Sequence, residues 1–295
     1  MDSEVIGRYE KAIGTLVGDE QVLRSGDFLV DGHLTNAGVL LFSRNPTRFL
    51  PSARVRVLKI DGTQMQTARR LNIVKDKDFD GPLPEVVEEA SQLIASLLRE
   101  FQVLGEDARF RTVPEYPEYP EYPEFAWFEG LVNAVAHRDY SIRGEYTRVV
   151  IFDDRLEITS PGILPNCVTL ENMRTTRYAR NPKICHVLAS FKWVRELNEG
   201  VHRVYQEMEE LGLPDPEFSE PSDFSVRLVL HNDIGKRAPY MSDSIGPKAA
   251  EVRRTERTLS DAEVTALNLA ESEGRVTTVW LMQSVGVSRV TASSY

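Results

Sequence analysis

The sequence predicts an α+β fold, a mixed sheet covered by helices, and three observations carry that expectation. Runs at 54–60, 147–152, 155–159 and 224–230 alternate or concentrate apolar, often β-branched residues as strands do. Stretches at 83–101, after Pro123, at 181–190 and at 199–211 repeat apolar residues at helical spacing. Hydrophobic residues make up 41% of 295 residues, enough for a sizeable core and, by length, for about two domains.

In chain order, residues 1–30 read as a lead-in, since the opening stretch is polar and short of periodicity. Residues 35–43 read as a short helix capped by Thr35, and 54–60 as a strand with Val55, Val57, Leu58 and Ile60. In 83–101, Val86, Val87, Ala90, Leu93, Ile94, Leu97, Leu98 and Phe101 draw one apolar stripe. Residues 114–124 repeat Glu-Tyr-Pro and set Tyr116, Tyr119 and Tyr122 along one edge of a polyproline II segment. That segment reads as a stiff linker, with a peptide-recognition edge as the alternative, and Pro123 sits at the start of the next helix. Asp153-Asp154 reads as a hairpin turn between two strands, and Asn181-Pro182 as the capped start of a helix. Residues 232–258 lose all pattern and read as a linker, after which 259–295 resembles the first part of a winged helix-turn-helix that stops before its wing. Ser288 would cap the third helix of this tail, and Ser288 with Arg289 would face nucleic acid.

Composition excludes several classes. The net charge of −10 writes no general attraction to nucleic acid or anionic membrane into the chain, so any nucleic-acid contact must be local. The two cysteines, Cys167 and Cys185, form no zinc-type cluster and no N-terminal apolar leader is present, which favours a reducing cytoplasm without structural metal or disulfide. No run approaches a membrane span. His137-Arg138-Asp139 lacks the asparagine, glycine loop and Asp-Phe-Gly of a protein kinase. Gly235-Lys236 lacks the other residues of a phosphate loop, so there is no helicase motor.

The most informative stretch is 129–140, which places Glu129, Asn133 and His137 at i, i+4 and i+8 of one helix. Such side chains lie about 5–6 Å apart on one face. Phe125, Phe128, Leu131, Val132 and Val135 supply the adjoining apolar face. A stripe of this kind can polarise a water and hold a magnesium ion.

Glu-x3-Asn-Ala-x2-His resembles the first box of the GHKL (Bergerat-fold) ATPases. The runs 34–46 (LTNAGVLLFSRNP), 79–90 (FDGPLPEVVEEA), 131–144 (LVNAVAHRDYSIRG), 153–165 (DDRLEITSPGILP) and 179–188 (ARNPKICHVL) resemble, in order, bacterial RecG-like transcriptional regulators. The likeness spans about 30–231 and implies a GHKL-like α/β sandwich over 31–231. A Schlafen-type AlbA-like domain before it is expected to be missing here, and a winged helix to follow. The resemblance implies ATP and Mg²⁺ as cofactors, Glu129 as general base, Asn133 as magnesium ligand, and His137, Gly162 and Gly200 in the nucleotide site. It implies DNA and nucleotide as partners and a homo-oligomer.

Two departures weaken the catalytic expectation. Ser160 stands where the family carries the aspartate that accepts the adenine amino group, and a hydroxyl brings no charge. Asn198 stands where related sequences commonly carry glycine in the phosphate-wrapping box, which keeps Gly200. Arg174, Arg177, Arg180 and Lys183 occupy the lid region, where Arg177 and Arg180 would meet phosphate. The preferred expectation is a DNA-associated regulator whose degenerate nucleotide domain acts as a structural or sensing module. The alternative is an active Mg-dependent ATPase.

Overall fold

The computed structural model describes residues 1–66, 71–98, 121–165, 167–193 and 200–232, together with the backbone of two short strands at 103–104 and 110–111. Cα packing divides the chain into Met1–Ala238 and Pro239–Tyr295, and every described residue belongs to the first unit. The linker and helix-turn-helix expected beyond 232, with Ser288 and Arg289, lie outside the described residues, as do Asn198, Tyr116 and Tyr119.

The N-terminal stretch corrects the expectation of a patternless lead-in. Helix α1 (Ser3–Ala12) starts at Asp2, whose side chain accepts from the Glu4 and Val5 amides at 3.0 and 3.3 Å. Val5, Ile6 and Tyr9 are buried, and α2 (Asp19–Ser25) adds Val22 and Leu23 to the same core. Strands β1 (Leu29–Val30) and β2 (His33–Leu34) are joined by Asp31-Gly32, both at positive φ, as a two-residue hairpin turn requires. Helix α3 (Asn36–Phe42) is capped as expected: Gly38 N donates to Thr35 Oγ1 at 3.2 Å.

The sheet then builds up through β3 (Arg54–Ile60) and β4 (Ile73–Asp80), followed by α4 (Leu83–Leu97), which ends where Leu98 turns extended. After β5 (Val103–Leu104) and β6 (Phe110–Arg111) comes α5 (Glu124–Ala136), entered through Pro123. Tyr122 is only 1% exposed, so the one described tyrosine of the Glu-Tyr-Pro series is a core residue and not an edge. The hairpin of β7 (Thr147–Ile151) and β8 (Arg155–Pro161) turns through Asp153-Asp154 as expected. Helices α6 (Pro182–Ser190) and α7 (Gly200–Glu210) precede β9 (Glu217–Ser222) and β10 (Ser225–His231).

Six strands form one mixed sheet in the order β4-β3-β7-β8-β10-β9, with only β3 and β7 parallel. Register sets Val57, Val149, Ile158, Leu228 and Phe218 in one row across five strands, and α4 and α5 pack on that face. Leu131, Val132 and Val135 of α5 are buried at 1% exposure or less, each contributing about 1.5–3 kcal/mol. A Cβ at Gly130 would come within 2.7 Å of Leu228 Cδ2 and 2.9 Å of Ile158 Cδ1, so glycine lets the helix cross directly above that row. Both edge strands escaped the sequence reading. In β4 only Phe79 is buried, and the run Lys75-Asp76-Lys77-Asp78 is the charged surface that guards an edge. Among the described residues no helix is long and apolar enough to cross a membrane.

Candidate functional site

Helix α5 carries its polar stripe along the border between the helix layer and the sheet. Asn133 Nδ2 donates to Glu129 Oε1 at 3.0 Å, which fixes the amide so that its oxygen is free to face away from the carboxylate. His137 is the C-cap residue and lies half-buried. Burial first, and the Arg180 charge second, hold its imidazole below the usual value, so it is neutral near pH 7.

A cavity of about 180 Å³ opens beside this border, bounded by α5, β8, β10, the 162–180 loop and α7. Asn133, His137, Ser160, Gly162 and Arg180 line it. The remaining wall is mostly apolar, with Ile158, Val204, Phe218 and Leu228 prominent. Since a cavity of about 150 Å³ accepts one benzene ring, this volume suits a ring system and not a whole nucleoside triphosphate.

Glu129 is not among the lining residues. It is 7% exposed, and a Cβ at Gly200 would overlap its Oε1, so the start of α7 lies directly against the carboxylate. Burial raises the Glu129 carboxyl above its ordinary value, with the Asn133 hydrogen bond and the Arg203 charge opposing. Of the three stripe residues, two therefore face the cavity and the third is covered by Gly200.

Ser160 is occupied as well. Its hydroxyl donates to the Ala134 carbonyl at 2.6 Å, which leaves only lone pairs toward the cavity. That contact belongs to a wider arrangement at the C-terminus of α5, where the last carbonyls have no helical partner. Tyr140 OH donates to Val135 O at 2.9 Å, and Asn181 Nδ2 donates to Ala136 O and Arg138 O at 2.9 and 2.8 Å. Asn181 thus stands at the N-cap position of α6, but its side chain serves α5 rather than its own helix.

Gly162 holds φ at +121°, and its amide donates to Phe224 O at 2.7 Å. It packs on Asp139, whose carboxylate meets Arg180 Nη1 at 3.5 Å. Arg180 also donates to Ile163 O, so it straps the loop after β8 to the end of α5. The other lid cations are dispersed: Arg177 is exposed and off the cavity, Arg174 lies over the Tyr205 ring at 4.3 Å, and Lys183 meets Asp27 at 3.3 Å.

Sequence reasoning missed Arg138. At 2% exposure, it donates to the carbonyls of Asp139, Ile142 and Glu145 at 3.0, 2.9 and 2.6 Å and so ties together the loop that follows α5. Its only advance signal was the position beside His137. Among the described residues no group of three or more His, Cys, Asp or Glu could hold a metal. Magnesium needs only one or two protein oxygens when phosphate supplies others, and the Asn133 side-chain oxygen, on a residue that lines the cavity, fits that smaller requirement.

No curated protein matches the chain. The family model described as "Putative ATP-dependent DNA helicase recG C-terminal" matches residues 144–230. That span holds Ser160, Gly162, Arg177, Arg180 and Gly200 and begins after the α5 stripe. Among solved structures, the crystal structure of the DIP2311 protein from Corynebacterium diphtheriae is similar in fold, with a TM-score of 0.63 at 22% identity. The alignment covers 99% of this chain and 55% of that one, so the chain spans about half the length of its structural neighbour. The family match supports a RecG-like domain of GHKL type over residues 144–230, which carry four of the six strands of the sheet, β7 to β10.

Proposed function

We propose that the chain is a DNA-associated regulator in which this domain binds an adenine-type nucleotide as a sensor and does not turn it over. The observation that carries the reading is Glu129: the residue in the general-base position lies off the cavity, against the backbone of Gly200. An apolar cavity of ring size supports base binding, and Ser160, with its hydrogen committed to Ala134 O, offers only acceptor lone pairs to an amino group. Asn133, His137, Gly162 and Arg180 would contact the ligand, with Arg177 and Gly200 near its phosphates. Bound Mg²⁺ would be held by Asn133 and would neutralise phosphate charge there. DNA association, cytoplasmic location and homo-oligomer formation belong to the same reading, the first supported by a matching family described as part of a DNA helicase, the second by the cysteine usage and the third by the resemblance. Titration calorimetry with ATP and magnesium, paired with phosphate release, tests it: heat without turnover is expected, and no heat at all contradicts it.

One observation favours a second reading, a working Mg-dependent ATPase. Glu129 and Asn133 remain hydrogen-bonded, and a carboxyl raised by burial suits a general base. Phosphate release that disappears in Glu129→Gln would select this reading.

A further inference from the structure

The sheet has a second face. Helices α4 and α5 pack on the row of Val57, Val149, Ile158 and Leu228, and the residues between these point the other way. Pairing places Arg56 opposite Arg148, Arg148 opposite Thr159, and Thr159 opposite Arg227, so three guanidinium groups share one row across β3, β7 and β10. Arg54, two residues along β3, joins them: its guanidinium lies 4.4 Å from the Tyr146 ring centre, and Arg56 Nη1 donates to Tyr146 OH at 2.9 Å.

The counter-charges sit to one side. Arg54 meets Asp78 at 3.6 Å and Arg56 meets Asp76 at 2.6 Å, both on the β4 edge. Toward the other edge, Glu157 and Glu217 lie one row along on the same face and are engaged elsewhere, Glu157 by Arg155 at 2.6 Å and Glu217 by His231 at 3.2 Å. Arg148 has a long 3.8 Å contact to Glu145 and its side chain is 43% exposed. Among the described residues Arg227 has no ion pair, and its Nε is buried without a hydrogen-bond partner. In a chain of net charge −10, this row concentrates positive charge where its neighbours Thr159, Ser219 and Ser225 are small and polar.

We propose that this half-exposed arginine row on the second face of the sheet is a DNA-binding surface, with Arg148 and Arg227 on the phosphodiester backbone and Tyr146 holding Arg54 and Arg56 in line beside them. The cations in the row are all arginine, whose planar fork matches phosphate oxygens in pairs. A partner protein would be expected to find a buried aromatic or aliphatic anchor, and this row offers none, which favours an extended polyanion. The proposal rests on the reading of DNA association and not on the nucleotide cavity, which lies on the opposite face.

Fluorescence anisotropy of the whole chain with a labelled duplex, titrated at several salt concentrations, tests it. Each phosphate contact contributes about 0.9 to the slope of log affinity against log salt. Arg148→Gln with Arg227→Gln should therefore flatten the slope by about 1.8 and weaken binding on the order of tenfold at low salt. Arg148→Lys with Arg227→Lys should keep most of the slope, which separates loss of charge from loss of folding. Nucleotide binding by the glutamine pair should match the wild type, so failure of the cavity reading and failure of this one are distinguishable. Unchanged affinity and slope in the glutamine pair would overturn the proposal. So would loss of binding confined to Arg289→Gln, or a whole chain that ignores DNA.

Discussion

Replacing Gly162 by alanine probes how closely the loop after β8 is set against the end of α5. At φ of +121° an alanine is strained, by about 1–3 kcal/mol. Its Cβ would stand 2.9 Å from Asp139 Cβ and 3.2 Å from Asp139 N. Neither side can retreat freely, because Asp139 N donates to Pro161 O at 2.8 Å and Gly162 N to Phe224 O at 2.7 Å. Asp139 is held further by Ser141, whose amide and hydroxyl donate to its Oδ1 at 2.9 and 2.6 Å. Forcing a methyl into such a contact adds about 1–3 kcal/mol, for a total of about 2–6 kcal/mol. Urea denaturation of wild type and Gly162→Ala measures the difference. Because Asp139 also positions Arg180 at the cavity, nucleotide affinity should fall with stability. A variant within about 0.5 kcal/mol of wild type, the range of an ordinary surface change, would refute the described packing.

Glu129→Gln should stabilise the protein at neutral pH. The folded value of this carboxyl is raised by burial, so its favourable contribution is complete below the unfolded value and is lost as pH rises through the folded one. The advantage of the variant should therefore shrink as pH falls toward the ordinary carboxylate range, and an advantage constant with pH in a melting series would contradict the assignment. Ser160→Ala removes the donor to Ala134 O and should cost about 1 kcal/mol in denaturation; a gain in stability would show that the hydrogen bond is not made. Arg138→Leu removes a buried guanidinium and its hydrogen bonds to three part-buried carbonyls, and should cost about 3–5 kcal/mol. Limited proteolysis should then cut first within 139–146, and Arg138→Lys should not restore resistance, because an ammonium cannot span the same three acceptors.

Much of the frame was readable because its signals are local. The Thr35 cap, the alternation in Arg54–Ile60 and the stripe through Val86, Ala90 and Ile94 each report burial of one face by the element that carries it. The edge strands gave no such report: β4 buries little, and its alternating Lys and Asp look like any solvated stretch. Helix α1 was missed because Val5, Ile6 and Tyr9 are set among charged residues, although Asp2 ahead of Glu4 and Val5 was a legible cap. At the site, spacing placed Glu129, Asn133 and His137 on one border, but it could not say what covers each. Gly200, distant in sequence, covers Glu129, and Asn181 bypasses its own helix to serve the carbonyls of α5. These are pairings made by tertiary packing, and residue order carries no trace of them.

The central claim is that nucleotide enters the cavity beside Asn133 and Ser160 while Glu129 stays covered. Parallel calorimetry and phosphate-release assays on wild type, Asn133→Ala and Glu129→Gln with ATP and magnesium test it most directly. The account predicts binding heat in wild type, weakened heat in Asn133→Ala, and the same background phosphate release in wild type and Glu129→Gln. Heat unaffected by Asn133→Ala, or turnover abolished by Glu129→Gln, would contradict it.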